Sequence, residues 1–258
     1  MIAPDCVRQQ KIAMILILDL GNTNQKAGVF DGDRLVRLEN HKQLSVTIVR
    51  RLLGEFPEIA AGMVCSVVAF PAPVRDLLQK RLSCYLELAS CTPVPLVNRY
   101  REPERLGMDR LAAAVAGSRM FPGIPVLVVN AGTCITCDLV SARAEYLGGA
   151  IAPGIAMRLR ALHTFTSKLP LVPLEIPQAL TGNSTRNSIL SGTVIGAASE
   201  VEGMIRKFRR ENPGLRVILS GGDREILVKH LKIRIFAVPE IVLTGLKHIL
   251  EFNLHHAR

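Results

Sequence analysis

The chain has 258 residues, 48% of them apolar and 21% charged, with a formal net charge of +10 and no tryptophan. That length allows one large or two medium domains, each with a real core, and no apolar run approaches a membrane span. The basic balance suits anionic ligands. Its one cluster, Arg206, Lys207, Arg209 and Arg210 with only Phe208 interleaved, has the spacing of a solvated helix face, so nucleic acid is not expected as a partner.

Residues 1–13 precede the first strand and read as an extension, expected to be dispensable because Met14 offers a start. Three strands are predicted at Met14–Leu18, Lys26–Phe30 and Arg34–Glu39, then a helix near Gln43–Gly54. An apolar strand (Met63–Val68), a helix after Pro73, a short strand at Val94–Val97 and an Ala-rich helix at Met108–Met120 follow. Phe121–Pro125, "FPGIP", is dense in helix breakers and sets the expected boundary between domains 14–120 and 121–258.

Three strands then recur, at Val126–Val129, Cys134–Val140 and Glu145–Ile151. Helices are predicted near Ile155–Thr166 and Ser188–Arg210, a strand at Arg216–Leu219, and a terminal helix after Pro239. Alternating strands and helices define an α/β fold. Asn130 follows Asp19 by nearly half the chain, so the two β-β-β-α blocks read as a duplication, two similar domains facing a cleft.

Six cysteines without a secretory signal fit reduced thiols in a cytoplasm. Cys134 and Cys137 form a lone C-x-x-C inside a strand, where positions three apart point to opposite faces; core filling is expected rather than zinc. The six histidines have no metal-ligand spacing.

Chemistry concentrates at strand ends. "DLGNTN" ends an apolar run in Asp19 and turns through Gly21, Asn22 and Thr23 into the next strand. Gly21 permits a turn with φ > 0 whose exposed N–H groups would form an anion-binding nest, and Asp19 could hold Mg²⁺. An ordinary hairpin would use the same residue types. The timing recurs in "NAGTCIT", with Gly132 and Thr133 following Asn130, so two nests could clamp a polyphosphate. "LSGGDRE" ends a strand in Gly221 and Gly222, small enough for adenine to lie against the backbone. No G-x-x-x-x-G-K-[ST] is present, which excludes a P-loop as the clamp.

From Ile15 to Asn253 the chain resembles the type III pantothenate kinases of the acetate and sugar kinase/Hsc70/actin superfamily. The resemblance is carried by "DLGNTNQKAGVF", "LGMDRLAAAVA", "VNAGTCITCDLV", "YLGGAIAPGIAMRLRALHTFTSKLP", "GNSTRNSILSGTVIGAASEVEG" and "LSGGD", in that order. It implies two actin-like (ribonuclease H-like) domains flanking a nucleotide cleft, and ATP-dependent phosphorylation of pantothenate, the first step of coenzyme A synthesis. It further implies Mg²⁺ with ATP, a monovalent cation (K⁺ or NH₄⁺), and a homodimer.

By that resemblance "GMDR", Gly107 to Arg110, is the pantothenate motif. Asp109 would orient or deprotonate the substrate hydroxyl, with Gly107 and Met108 beside it. Arg110 could grip the substrate carboxylate with its planar fork. Helix-start electrostatics would explain Asp109 as well, but not Arg110. Tyr100 and Thr185 match positions lining the pantothenate pocket, the threonine coming from the partner subunit; alone they would be an ordinary Tyr and a helix N-cap. Asp19, Gly21, Asn22, Thr23, Lys26, Gly132, Thr133, Gly221 and Gly222 fall to ATP and its phosphates. Gly148, Gly149 and Gly154 would allow tight backbone approach.

Where the family pattern has Asp in the second nest, this chain has Asn130, so one metal-facing carboxylate beside Asp19 is missing. That departure is the only support for a nucleotide-binding regulatory (transcription accessory) relative with weakened catalysis. A sugar or acetate kinase is disfavoured by "GMDR" with "GNST".

Overall fold

The computed structural model describes residues 14–256, and the expected 1–13 extension lies outside them. The chain divides into two units. One holds the described residues up to Ala116 and those from Val242 onward; the other is Gly117–Ile241.

In the first unit β1 (Met14–Leu20), β2 (Gln25–Asp31) and β3 (Arg34–His41) form an antiparallel meander. β4 (Ile59–Ser66) and β5 (Cys84–Glu87) join parallel, giving the order β3-β2-β1-β4-β5. Leu16, Leu18 and Leu20 pack on one face with Val49 and Leu52 of α1 (Val46–Glu55) and with Val74 and Leu78 of α2 (Ala72–Arg81). Ser45 caps α1, its side chain accepting from Ile48 N at 3.4 Å. Ile15, Ile17 and Met63, on the alternate positions, are buried too. β1 is therefore covered on both faces, which is why it reads as an unbroken apolar run.

A two-residue strand β6 (Val97–Asn98) precedes the Ala-rich helix α3 (Met108–Met120), and the chain ends in α8 (Ile241–His256). Gly245, with no side chain, lets these helices touch at the backbone; a Cβ on it would collide with the Ala112 carbonyl. Lys247 of α8 is buried and paired with Asp33 and, at 2.9 Å, with Glu251.

The second unit repeats the plan. β7 (Val126–Ala131), β8 (Cys134–Val140) and β9 (Glu145–Pro153) run antiparallel, and β10 (Arg216–Ser220) and β11 (Phe236–Ala237) join parallel, in the order β11-β10-β7-β8-β9. Strand for strand this is the first sheet again, as a duplication requires. Its main core is built from Leu127, Val129, Ile135 and Cys137 on the sheet. Against these pack Ile155 and Leu159 of α4 (Ile155–Thr164), Ile189 of α5 (Thr185–Leu190) and Val201 of α6 (Gly196–Glu211). A short α7 (Arg224–Val228) follows β10. Cys137 is buried in this core, while Cys134 at the start of the strand is half-buried.

Four expectations need correction. The unit division falls inside α3, not at 121–125, because Leu111–Ala116 are buried in the first unit while Gly117 packs on Val126 and Val128. The terminal helix belongs to the first unit rather than the second. The strand expected at Val94–Val97 is Val97–Asn98, and the edge strands β5 and β11 went unpredicted; two to four residues carry no periodicity. The helix expected at Ser188–Arg210 starts at Thr185 and widens into a π-helical turn at Ser191–Ile195.

Candidate active site

Asp19 stands near the end of β1, opposite Lys26 on β2 and Cys65 on β4. Register puts all three side chains on one sheet face, away from Leu18 and Leu20. Asp19 and Lys26 are half-buried, whereas Asn22 and Thr23 in the turn are exposed. Gly21 does not have the positive φ expected of it. A Cβ there would stand 2.8 Å from Asn24 O. Glycine is needed because the chain doubles back closely, not because the backbone is left-handed.

Asp109, at the start of α3, is a second acidic influence on Cys65. Burial pushes the Cys65 thiol well up, and the Asp19 and Asp109 carboxylates raise it further. Both expected carboxylates therefore act on one buried residue that sequence reasoning passed over, Asp19 as its partner in register across β1 and β4. Asp109 lies in the first turn of α3, where the helix dipole favours an anion. A Cβ on Gly107 would stand 2.7 Å from Asp109 Oδ1, so the glycine leaves that carboxylate room. Met108 opens the helix, half-buried.

Arg110 is 7% exposed, and its guanidinium lies 5.8 Å from the Tyr100 ring centroid. A cation–π contact at that distance accounts for a cation at a helix N-terminus. Tyr100 is itself fixed by its N–H donating to Asn98 Oδ1 at 2.9 Å.

In the second unit Asn130 pairs with Ser220 on β10 and Thr136 on β8. The three form a polar row on the face opposite Val129 and Leu219. Ser220 is buried and Asn130 half-buried, and Thr136 Oγ1 is buried with no hydrogen-bond partner. Further along that face, Asp138 accepts a 2.7 Å hydrogen bond from Tyr146 OH, both residues fully buried. Ser220 and Thr136 were legible only as neighbours of the quoted motifs.

The row fits a singly charged cation: it offers hydroxyl and carboxamide oxygens, one of them orphaned. It does not fit Mg²⁺, which is held through carboxylates and substrate phosphates; Asp19 does. No group of three or more His, Cys, Asp or Glu side chains able to hold a metal occurs among the described residues.

The turn after β7 is fastened to its neighbours. Gly154 N donates to Thr133 O at 3.1 Å and Asp223 N to Ala131 O at 3.0 Å. Gly221 has φ +94°, and a Cβ on it would collide with Ala131 O, so only glycine fits. Gly149 and Gly154 likewise press on backbone, of Cys137 and of Gly132–Thr133, while Gly148 adopts φ +94°. A Cβ on Gly132 or Gly222 would meet nothing within 4 Å, which leaves those two positions open to a ligand.

Burial raises the Asp223 pKa above its ordinary value. A raised folded-state value means that ionising Asp223 costs stability: nothing below the unfolded pKa, the full amount above the folded one. Asp223→Asn should therefore raise Tm at about pH 7, with the difference vanishing near about pH 3. Paired thermal melts across that range check it; a gain that persists in acid would contradict the cause.

Thr185 is the first residue of α5 and exposed, but it is not the cap. Ser184 is, accepting from Asn187 N at 3.2 Å.

Two α/β units of matched topology, each with a turn holding glycine and threonine after its first strand, define an actin-like fold. Solved structures share it. A Campylobacter jejuni protein assigned to the Baf family of transcriptional activators superposes with a TM-score of 0.56 at 20% identity, covering 93% of this chain and 99% of that one. A glucokinase from an Antarctic psychrotroph gives 0.52 at 11% identity, with 93% and 99% covered. At the sequence level, residues 15–207 match the family model described as type III pantothenate kinase. A type III pantothenate kinase from Phocaeicola vulgatus is 39% identical over 240 residues, 93% of this chain and 99% of that protein. The chain belongs to the type III pantothenate kinase family.

Proposed function

We infer that this chain phosphorylates pantothenate to 4′-phosphopantothenate with ATP, the entry step of coenzyme A synthesis. The observation that carries the chemistry is that Asp19, paired in register with buried Cys65, and Asp109 both act electrostatically on that thiol, while the Arg110 guanidinium lies 5.8 Å from the Tyr100 ring centroid. Phosphoryl transfer asks a protein for positioning and charge stabilisation more than for covalent chemistry.

In this reading Arg110 grips the substrate carboxylate, and Asp109 accepts the proton of the primary hydroxyl. The hydroxyl oxygen bonds to the γ-phosphorus as the bond to the β,γ-bridging oxygen breaks, and ADP leaves. Asp19, Asn22, Thr23 and Lys26 serve the phosphates on the first unit. Gly132 and Thr133 serve them on the second, and Gly221–Gly222 the adenosine. Mg²⁺, held at Asp19 with the nucleotide, would neutralise charge on the transferring group. A monovalent cation falls to the row of Asn130, Thr136 and Ser220.

Purified protein with ATP, Mg²⁺, K⁺ and pantothenate should yield 4′-phosphopantothenate by mass. Nucleotide binding without that product would favour the regulatory reading, which the missing carboxylate at Asn130 supports. No helix among the described residues is long and apolar enough to cross a membrane; a cytoplasmic location is our proposal.

We also propose a homodimer whose second units meet. Residues 165–184 support it, exposing Phe165 at 85% and Leu180 at 74%, with Leu171 and Ile176 also exposed. If Thr185 completes the partner's site, mixing Asp109→Asn chains with Thr185→Val chains should restore part of the activity each lacks. Heterodimers without restoration would refute a shared site.

A further inference from the structure

Residues 165–184 join α4 to α5 without regular secondary structure. Loops that long are uncommon in compact units unless something holds them. Val172 is buried in the core, and Glu175 pairs with Arg186 at the start of α5. The last few residues are held differently.

Ser184, Ser188 and Ser191 fall at i, i+4 and i+7, one stripe along a helix. Ser188 Oγ donates to Gly182 O at 3.3 Å, and Ser191 Oγ to Leu180 O. Asn187 Nδ2 adds a 2.9 Å bond to Asn183 Oδ1. A Cβ on Gly182 would collide with the backbone of Asn187 and Ser188, so the loop lies directly on the helix. Ser191 begins the π turn, where the regular ladder is interrupted. Thr193 Oγ1 compensates, donating to Ile189 O at 2.5 Å and Leu190 O at 3.3 Å.

Such an arrangement exceeds what capping α5 requires, since Ser184 alone does that. Everything else pins Leu180–Ser184, the residues that lead into Thr185. We propose that Gly182, Ser188 and Ser191 form a clamp that fixes where Thr185 stands, making them positioning residues for pantothenate. The proposal rests on the reading that Thr185 touches pantothenate. Without the clamp the segment leading into Thr185 loses its ties to Ser188 and Ser191, the start of α5 is held by the Ser184 cap alone, and the loss should fall on substrate binding.

Ser188→Ala and Ser191→Ala should each raise KM for pantothenate about threefold to tenfold, the usual weight of one hydrogen bond. KM for ATP and kcat should stay unchanged. Ser188→Thr, which keeps the hydroxyl, should behave as wild type. Because the clamp acts through Thr185, Thr185→Val combined with Ser191→Ala should be no worse than Thr185→Val alone. Additive losses, or equal rises in both KM values, would mean a general structural role and overturn the clamp. If Thr185→Val raises KM for pantothenate while both serine variants do not, the clamp fails and the Thr185 reading stands. If Thr185→Val changes nothing, both fall together.

Discussion

Asp109→Asn should lower kcat by about 10²–10⁴-fold, the usual contribution of a positioned general base. The amide has nearly the shape of the carboxylate, so Gly107 still leaves it room and α3 still starts at Met108. What disappears is the acceptor for the hydroxyl proton. One favourable charge in the first turn of α3 is lost as well, about 0.3–1 kcal/mol, too little to unfold the unit. Asp19, Lys26 and the second-unit turns are untouched, so ATP affinity should hold. Removing one of the two carboxylates beside Cys65 should also lower that thiol's pKa toward its ordinary value, since both raise it. Turnover, a thermal melt and ATP titration together check the assignment; wild-type turnover in a folded variant would end it.

Much of this architecture was legible because its signals are local. A run such as Val126–Val129 followed by Gly132 and Thr133 shows a buried strand and its turn in one glance, and its echo of Ile15–Thr23 shows the duplication. Signals that depend on pairing were not legible. Cys65 lies far along the chain from Asp19, and only the parallel register of β1 with β4 makes them neighbours. Thr136 and Ser220 became relevant in the same way, through the registers of β7. The 121–125 segment misled because breakers mark where a helix stops, whereas unit membership follows which core buries it. Gly21 misled because glycine answers two needs, a left-handed backbone and a close approach, and composition does not say which. Thr185 and Ser184 are adjacent cap formers, and only the hydrogen bond from Asn187 separates their roles.

Asn130→Asp should lower the monovalent cation concentration needed for half-maximal activity. Asn and Asp differ little in shape, so β7 and its pairing with Ser220 and Thr136 should survive the change. What returns is a negative charge in a row that now offers only neutral oxygens. A unit-charge pair at about 4 Å is worth roughly 4 kcal/mol at an effective dielectric near 20, before desolvation is subtracted. Even a fraction of that shifts an ion's affinity by an order of magnitude. The Thr136 hydroxyl, which has no hydrogen-bond partner beside the neutral carboxamide, would face a charged and stronger acceptor across the strand pair, which offsets part of the cost of burying the charge. A second readout separates binding from catalysis: K⁺ should raise the Tm of the variant at concentrations that leave the natural chain unmoved, because an ion that binds only the folded state stabilises it by mass action. An inactive natural chain made active by Asn130→Asp would identify a weakened or regulatory kinase. Unchanged cation dependence in both activity and Tm would mean that Asn130 does not face the ion, and the missing carboxylate would need another explanation.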